Sequence, residues 1–205
     1  MLAQAFPRWL FSLILLPVLA VLLHPILGNR LFLCSLLLLT LPFLFVIYFF
    51  RDPEREVGRG IVSPADGRIT AVERVGNRIR ISIFMSPFDV HVNRAPLDGT
   101  IREMEYTPGA HTFAFSKDSD ANERLTWRLT TQYGEVVMIQ IAGAFARRIV
   151  PYRGEGERVR KGERIGMIMF GSRVDLILPQ HPRIRVVVNV REKVKAASTV
   201  IAEVV

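Results

Sequence analysis

The first quarter of this 205-residue chain is almost wholly apolar, and that constrains its architecture more than any other feature. Residues 9–27 and 31–50 each form an apolar run of about 20 residues, the length needed to cross a hydrocarbon core. Only Gly28-Asn29-Arg30 separates them, which predicts a tight helical hairpin with Pro17, Pro25 and Pro42 accommodated as kinks. Trp9 and Tyr48 stand near the ends of the runs, where interfacial aromatics are expected. Two spans return the chain to its starting side. Arg8, Arg51 and Arg55 then share one face, which the positive-inside tendency makes cytoplasmic, with Arg30 on the opposite turn. A signal peptide followed by a buried helix is the competing reading, but the first run lacks a small-residue cleavage pattern and a second full-length run follows it. Residues 1–50 are therefore expected to anchor the chain in the cell membrane, with the remainder on the cytoplasmic side. His24, beside Pro25 and close to the Gly28 turn, is expected to reach the interface.

Beyond residues 51–60, a polar linker, the pattern changes to short alternating runs at 78–84, 100–106, 125–131, 135–141, 165–170, 174–178, 183–188 and 199–205. Gly and Pro punctuate them, as at Pro64, Gly67, Gly99, Pro108-Gly109, Gly134 and Gly162. This predicts one mainly β domain over residues 61–205, a β-sandwich or hybrid-barrel-like fold of ordinary single-domain size. Between Gly109 and Asn122 the alternation fails, and a stretch with His111, Phe113 and Phe115 reads as a long loop or short helix, and loops of that length often carry function. The net charge of +8 points to an anionic partner. The anchor makes an anionic membrane surface the simplest one, and without a recognisable motif nucleic acid is not expected. The single Cys34 permits no intrachain disulfide, and four histidines without ligand spacing predict no metal site.

One interruption stands out chemically. Gly171-Ser172 breaks what is otherwise a single apolar strand from Ile165 to Leu178. Such a step can be merely a bulge. Glycine, however, leaves the preceding carbonyl unshielded and permits unusual dihedrals, so the Ser172 hydroxyl could attack the Gly171 carbonyl in an N-to-O acyl shift. The resulting ester can lose its carboxylate by β-elimination, and hydrolysis of the dehydroalanine leaves a pyruvoyl group.

Phe170-Gly171-Ser172-Arg173-Val174-Asp175 is accompanied, in order along the domain, by Ser63-Pro64-Ala65-Asp66-Gly67, Asp89-Val90-His91-Val92-Asn93-Arg94, Asn122-Glu123-Arg124 and Ile141-Ala142-Gly143-Ala144-Phe145-Ala146-Arg147-Arg148. Together these resemble the short form of the phosphatidylserine decarboxylase family. The resemblance implies a proenzyme cut before Ser172 into a β chain of residues 1–171 and an α chain of residues 172–205. It implies a pyruvoyl cofactor derived from Ser172 that forms a Schiff base with phosphatidylserine and drives its decarboxylation to phosphatidylethanolamine. It also leaves a homo-oligomer open.

Roles for the flanking residues follow as expectations. His91 is the candidate to accept the Ser172 proton and later to protonate the decarboxylated carbon, since imidazole suits proton traffic near neutral pH. Asp66 is the candidate to orient that ring, although Pro-Ala-Asp-Gly is also an ordinary turn sequence. Longer members of the family have a second histidine where this chain has Arg94. That makes Arg94 a candidate for binding the lipid phosphate or carboxylate, with an ion pair as its plainer role, and keeps His111 in reserve. The competing class is a carrier or binding module, because residues 156–166 resemble the turn of lipoyl- and biotinyl-carrier domains. Lys161 there lacks the presentation that such a carrier lysine needs.

Overall fold

The computed structural model describes residues 2–4, 14–22, 24–109, 122–143, 148–169 and 172–205, and the chain divides into two compact units, Met1–Pro53 and Glu54–Val205. The first unit contains α1 (Leu15–Leu22) and α2 (His24–Phe49). Pro25 falls in the first turn of α2, where the missing N–H would have no intrahelical acceptor in any case. The turn expected at Gly28-Asn29-Arg30 is instead helical, inside α2. One Gly and one Asn cost a helix only about 1 kcal/mol each or less, and His24 Nε2 meets Asn29 Oδ1 at 3.1 Å within this segment. Phe32–Phe49 has mean hydropathy 2.5 with 6 % of it buried, and among the described residues this is the one helix long and apolar enough to cross a membrane. At the end of α2 the Ala3 N–H donates to Phe50 O at 2.7 Å, so the first residues of the chain lie beside the last turn of this helix.

The second unit is mainly β. A curled eight-stranded sheet has the order β13 (Lys193–Val194), β2 (Gly67–Val75), β3 (Arg78–Met85), β11 (Ser172–Pro179), β7 (Gly134–Ala142), β6 (Arg124–Thr131), β5 (Gly99–Thr107), β9 (Arg158–Val159), antiparallel throughout. Register shifts at Ile69/Ala71 and Ile101/Glu103 insert bulges, which bend and further twist the strands that carry them. Two three-stranded sheets accompany it, β1 (Ile61–Val62) with β14 (Val200–Val204) and β12 (Ile184–Val186), and β4 (Val92–Arg94) with β10 (Arg164–Ile168) and β8 (Ile149–Pro151).

Alternation decides which side chains turn inward. On β11, Ser172, Val174, Leu176 and Leu178 are buried on one face, and their partners Met85, Ile83, Ile81 on β3 and Ala142, Gln140, Met138 on β7 share it. Trp127 and Leu129 on β6 continue the same interior, each completely buried. Gly67 opens β2 with φ +151°, and a Cβ there would sit 2.2 Å from Phe84 O, so only glycine allows β2 to start this close to β3.

Candidate active site

Ser172 is the first residue of β11, the strand near the middle of the large sheet, with Met85 and Ala142 as its cross-strand neighbours. It is 0 % exposed, and its hydroxyl donates to Met85 Sδ at 3.7 Å. On the opposite face of β11, Arg173 and the buried Asp175 pair through two contacts of 3.0 and 3.1 Å. The sequence pattern suggested one interrupted strand through residues 165–178. The structure instead puts β10 and β11 in different sheets, with Ser172 opening β11. Gly171 itself lies outside the described residues, as do His111 and residues 144–147.

His91 precedes β4 and is also 0 % exposed. Its carbonyl accepts from the Ile168 N–H at 3.3 Å, which ties it to the end of β10, four residues before Ser172. Its Nδ1 lies 3.0 Å from Asp89 O. A carbonyl can only accept, so Nδ1 carries the proton and, in the neutral ring, Nε2 carries the basic lone pair.

Asp66 is buried in the bend before β2, and its carboxylate accepts from Arg55 Nη2 at 2.7 Å and from the Ala196 N–H at 2.8 Å. The ring-orienting contact expected of Asp66 is made at Nδ1 by the Asp89 main chain, while Asp66 ties the segment around Arg55 to the turn at Ala196. Burial raises the Asp66 carboxyl above its ordinary range, against the opposing pull of the Ala196 N–H and Arg55, and the nearby Asp89 carboxylate adds to the rise. The loss of hydration therefore outweighs even a short ion pair at this position.

Arg94 ends β4, is buried, and donates to Gly162 O at 3.1 Å. It lines a cleft of about 910 Å3 together with Arg55, Arg158, Arg160 and Lys161, against Glu54, Asp98 and Glu163. Neither Ser172 nor His91 lines this cleft. Lys161 is half-buried with Nζ donating to Gly60 O at 3.2 Å, the opposite of a carrier lysine displayed for modification. Asn122 holds the Ala142 carbonyl through Nδ2 at 2.8 Å, and so braces the strand next to Ser172.

Sequence reasoning missed Met85 and Gln140, which the fold brings to this interior. A methionine ending an apolar strand reads as core filling. The signal for Gln140 was its place among Val136, Val137, Met138, Ile139 and Ile141, where an uncompensated amide would be costly.

The model of the phosphatidylserine decarboxylase family matches residues 43–202. The chain belongs to this family. A phosphatidylserine decarboxylase proenzyme of Streptomyces coelicolor is 52% identical over 156 residues, covering 75% of this chain and 71% of its own. Another, of Streptomyces griseus, is 54% identical over 137 residues, covering 66% and 64%. A relative from Methanosarcina barkeri, a proenzyme whose name carries archaetidylserine in place of phosphatidylserine, is 40% identical over 208 residues, covering 100% of this chain and 99% of its own. The chain thus spans about two thirds of the Streptomyces decarboxylases and nearly all of the archaeal one. The matched segment contains the whole eight-stranded sheet and the buried Ser172 and His91.

Proposed function

We propose that this chain is a self-processing, pyruvoyl-dependent decarboxylase of phosphatidylserine, and that the mature enzyme arises by cleavage between Gly171 and Ser172. The observation that carries the reading is the complete burial of Ser172, whose hydroxyl reaches a thioether and no solvent. A serine so enclosed is ill placed to attack an incoming macromolecule, whereas the carbonyl of its own preceding residue is always within reach. The name proenzyme given to the relatives supports the same conclusion.

In this reading Ser172 Oγ attacks the Gly171 carbonyl carbon, the C–N bond breaks, and an ester joins the two residues. His91, through Nε2, takes the hydroxyl proton. Loss of the Ser172 α-proton then expels the Gly171 carboxylate from Cβ, and water replaces nitrogen, released as ammonia, at the new terminus. The surroundings of Ser172 fit the product: Met85 and Ala142 on either side are buried and carry no amine that would consume a ketone. A pyruvoyl group there supplies an electron sink for decarboxylation of a serine head group. His91 is assigned the return of a proton to the carbon that loses carbon dioxide, and Arg94, in its cationic cleft, is the proposed contact for the lipid phosphate. The small sheet β4-β10-β8 is taken to close the curled large sheet into a hybrid barrel.

Residues 1–50 act as the membrane anchor with the domain on the cytoplasmic side. The apolar Phe32–Phe49 stretch supports this, and the pairing of Ala3 with Phe50 suits a chain that crosses and returns. Protein lacking residues 1–50 is expected in the soluble fraction, and its recovery with membranes would locate the anchor elsewhere.

The deciding experiment is denaturing electrophoresis and intact mass of the purified protein, with lipid product analysis on the same sample. The expected result is two fragments, the smaller blocked at its amino terminus, and phosphatidylethanolamine from phosphatidylserine. A stable full-length species with an ordinary serine at 172 would refute the reading.

A further inference from the structure

A chain of buried polar contacts leads to Ser172 from the far side of the core. Trp127 Nε1 donates to Gln140 Oε1 at 2.7 Å, Gln140 Nε2 donates to Asn93 Oδ1 at 2.8 Å, and Asn93 Nδ2 donates to Met85 Sδ at 3.7 Å. The same sulfur receives the Ser172 hydroxyl at 3.7 Å. All five residues are 0 % exposed. Trp127, Gln140, Met85 and Ser172 stand on the inner face of the large sheet, while Asn93 comes from β4, two residues after His91.

The direction of this chain is dictated at one end. An indole nitrogen can only donate, so the Gln140 oxygen must face Trp127 and its amino group must face Asn93. Asn93 then has to accept with its oxygen, which aims its own amino group at Met85. A methionine side chain has three rotatable bonds and ordinarily wanders, and here a donor on either side of the sulfur selects one position for it. The close approach of the sheets depends on Gly166 in β10, where a Cβ would sit 3.2 Å from Gln140 Nε2 and 2.9 Å from Val150 O.

We propose that Met85, Asn93 and Gln140, aligned by Trp127, are positioning residues for self-cleavage: together they hold the Ser172 hydroxyl against the Met85 thioether and bind the strand that follows His91 to the strand that Ser172 begins. The sulfur suits this task because it is a weak acceptor. It fixes the rotamer of the nucleophile without making its proton costly to remove, as a carbonyl or carboxylate partner would. The proposal rests on Ser172 being the nucleophile of self-cleavage, and its test separates the two.

The test is the half-time of cleavage of freshly purified full-length chain, followed by electrophoresis, for wild type, Met85→Leu, Trp127→Phe and the double variant. Both substitutions keep an apolar side chain of similar shape at the site. Each single variant is expected to cleave roughly tenfold more slowly, the scale of one lost orienting hydrogen bond. The double variant should be no slower than Met85→Leu, because Trp127 acts through that sulfur. Residues contributing only to general stability would instead show multiplying effects that track the melting temperature, and that result would overturn the proposal, as would singles that cleave at the wild-type rate. Gln140→Met, which keeps length but removes the amide, repeats the Trp127→Phe arm if that variant fails to fold, with the same two outcomes. A wild-type chain that never cleaves would sink the nucleophile assignment itself, which is a different failure.

Discussion

Ser172→Ala leaves the chain in one piece and releases no carbon dioxide from phosphatidylserine. The substitution removes one oxygen from a fully buried site whose polar contact is a weak one to Met85 Sδ, so the fold has little to lose. Alanine also suits β11 sterically between Met85 and Ala142. The loss is thus expected to be chemical and complete, with a melting temperature close to that of the unprocessed wild type. Intact mass and a carbon dioxide release assay check both halves. A variant that still cuts, or that decarboxylates uncut, would remove Ser172 from its role.

His91→Ala is the second large effect. With Nδ1 committed to the Asp89 carbonyl, the basic lone pair of the neutral ring falls on Nε2, and removal of a positioned base costs on the order of a hundredfold or more. Maturation should slow by that factor and should not be restored by raising the pH within the range where the fold holds. Normal cutting in this variant, read from the same electrophoresis time course, would transfer proton acceptance to another group. His91→Gln offers a useful comparison, since its amide can still donate to the Asp89 carbonyl but cannot act as a base.

Much of the β domain was legible in the residues, because half-buried strands announce themselves by alternation. The runs at 78–84, 125–131 and 135–141 match β3, β6 and β7 to within a residue or so. β2, nine residues long, was missed for two physical reasons. Its first residue is Gly67, which reads as punctuation, and the bulge at Ile69/Ala71 breaks the period of two. The site was legible in part. Ser172 and His91 both fall in the interior, but the split of residues 165–178 between two sheets depends on long-range pairing with β4, β3 and β7, which periodicity cannot reveal. The same holds for Asp66, whose partners Arg55 and Ala196 are 11 and 130 positions away in the chain. In the apolar region, Gly28-Asn29-Arg30 looked like a turn because Gly and Asn weaken a helix and Arg30 interrupts the apolar run, yet the helical segments on both sides carry them through.

The placement of β11 has a bearing on what the cut would do to the molecule. That strand lies between β3 and β7, hydrogen-bonded along both edges, and β14 is likewise held between β1 and β12, while β13 pairs with β2. Severing the backbone ahead of residue 172 would end covalent continuity without loosening the tail, since residues 172–205 are woven into sheets contributed by the preceding part. The mature protein would then travel through native chromatography as one body and come apart only in denaturant. Once parted, neither fragment would hold a full set of strands from which to rebuild.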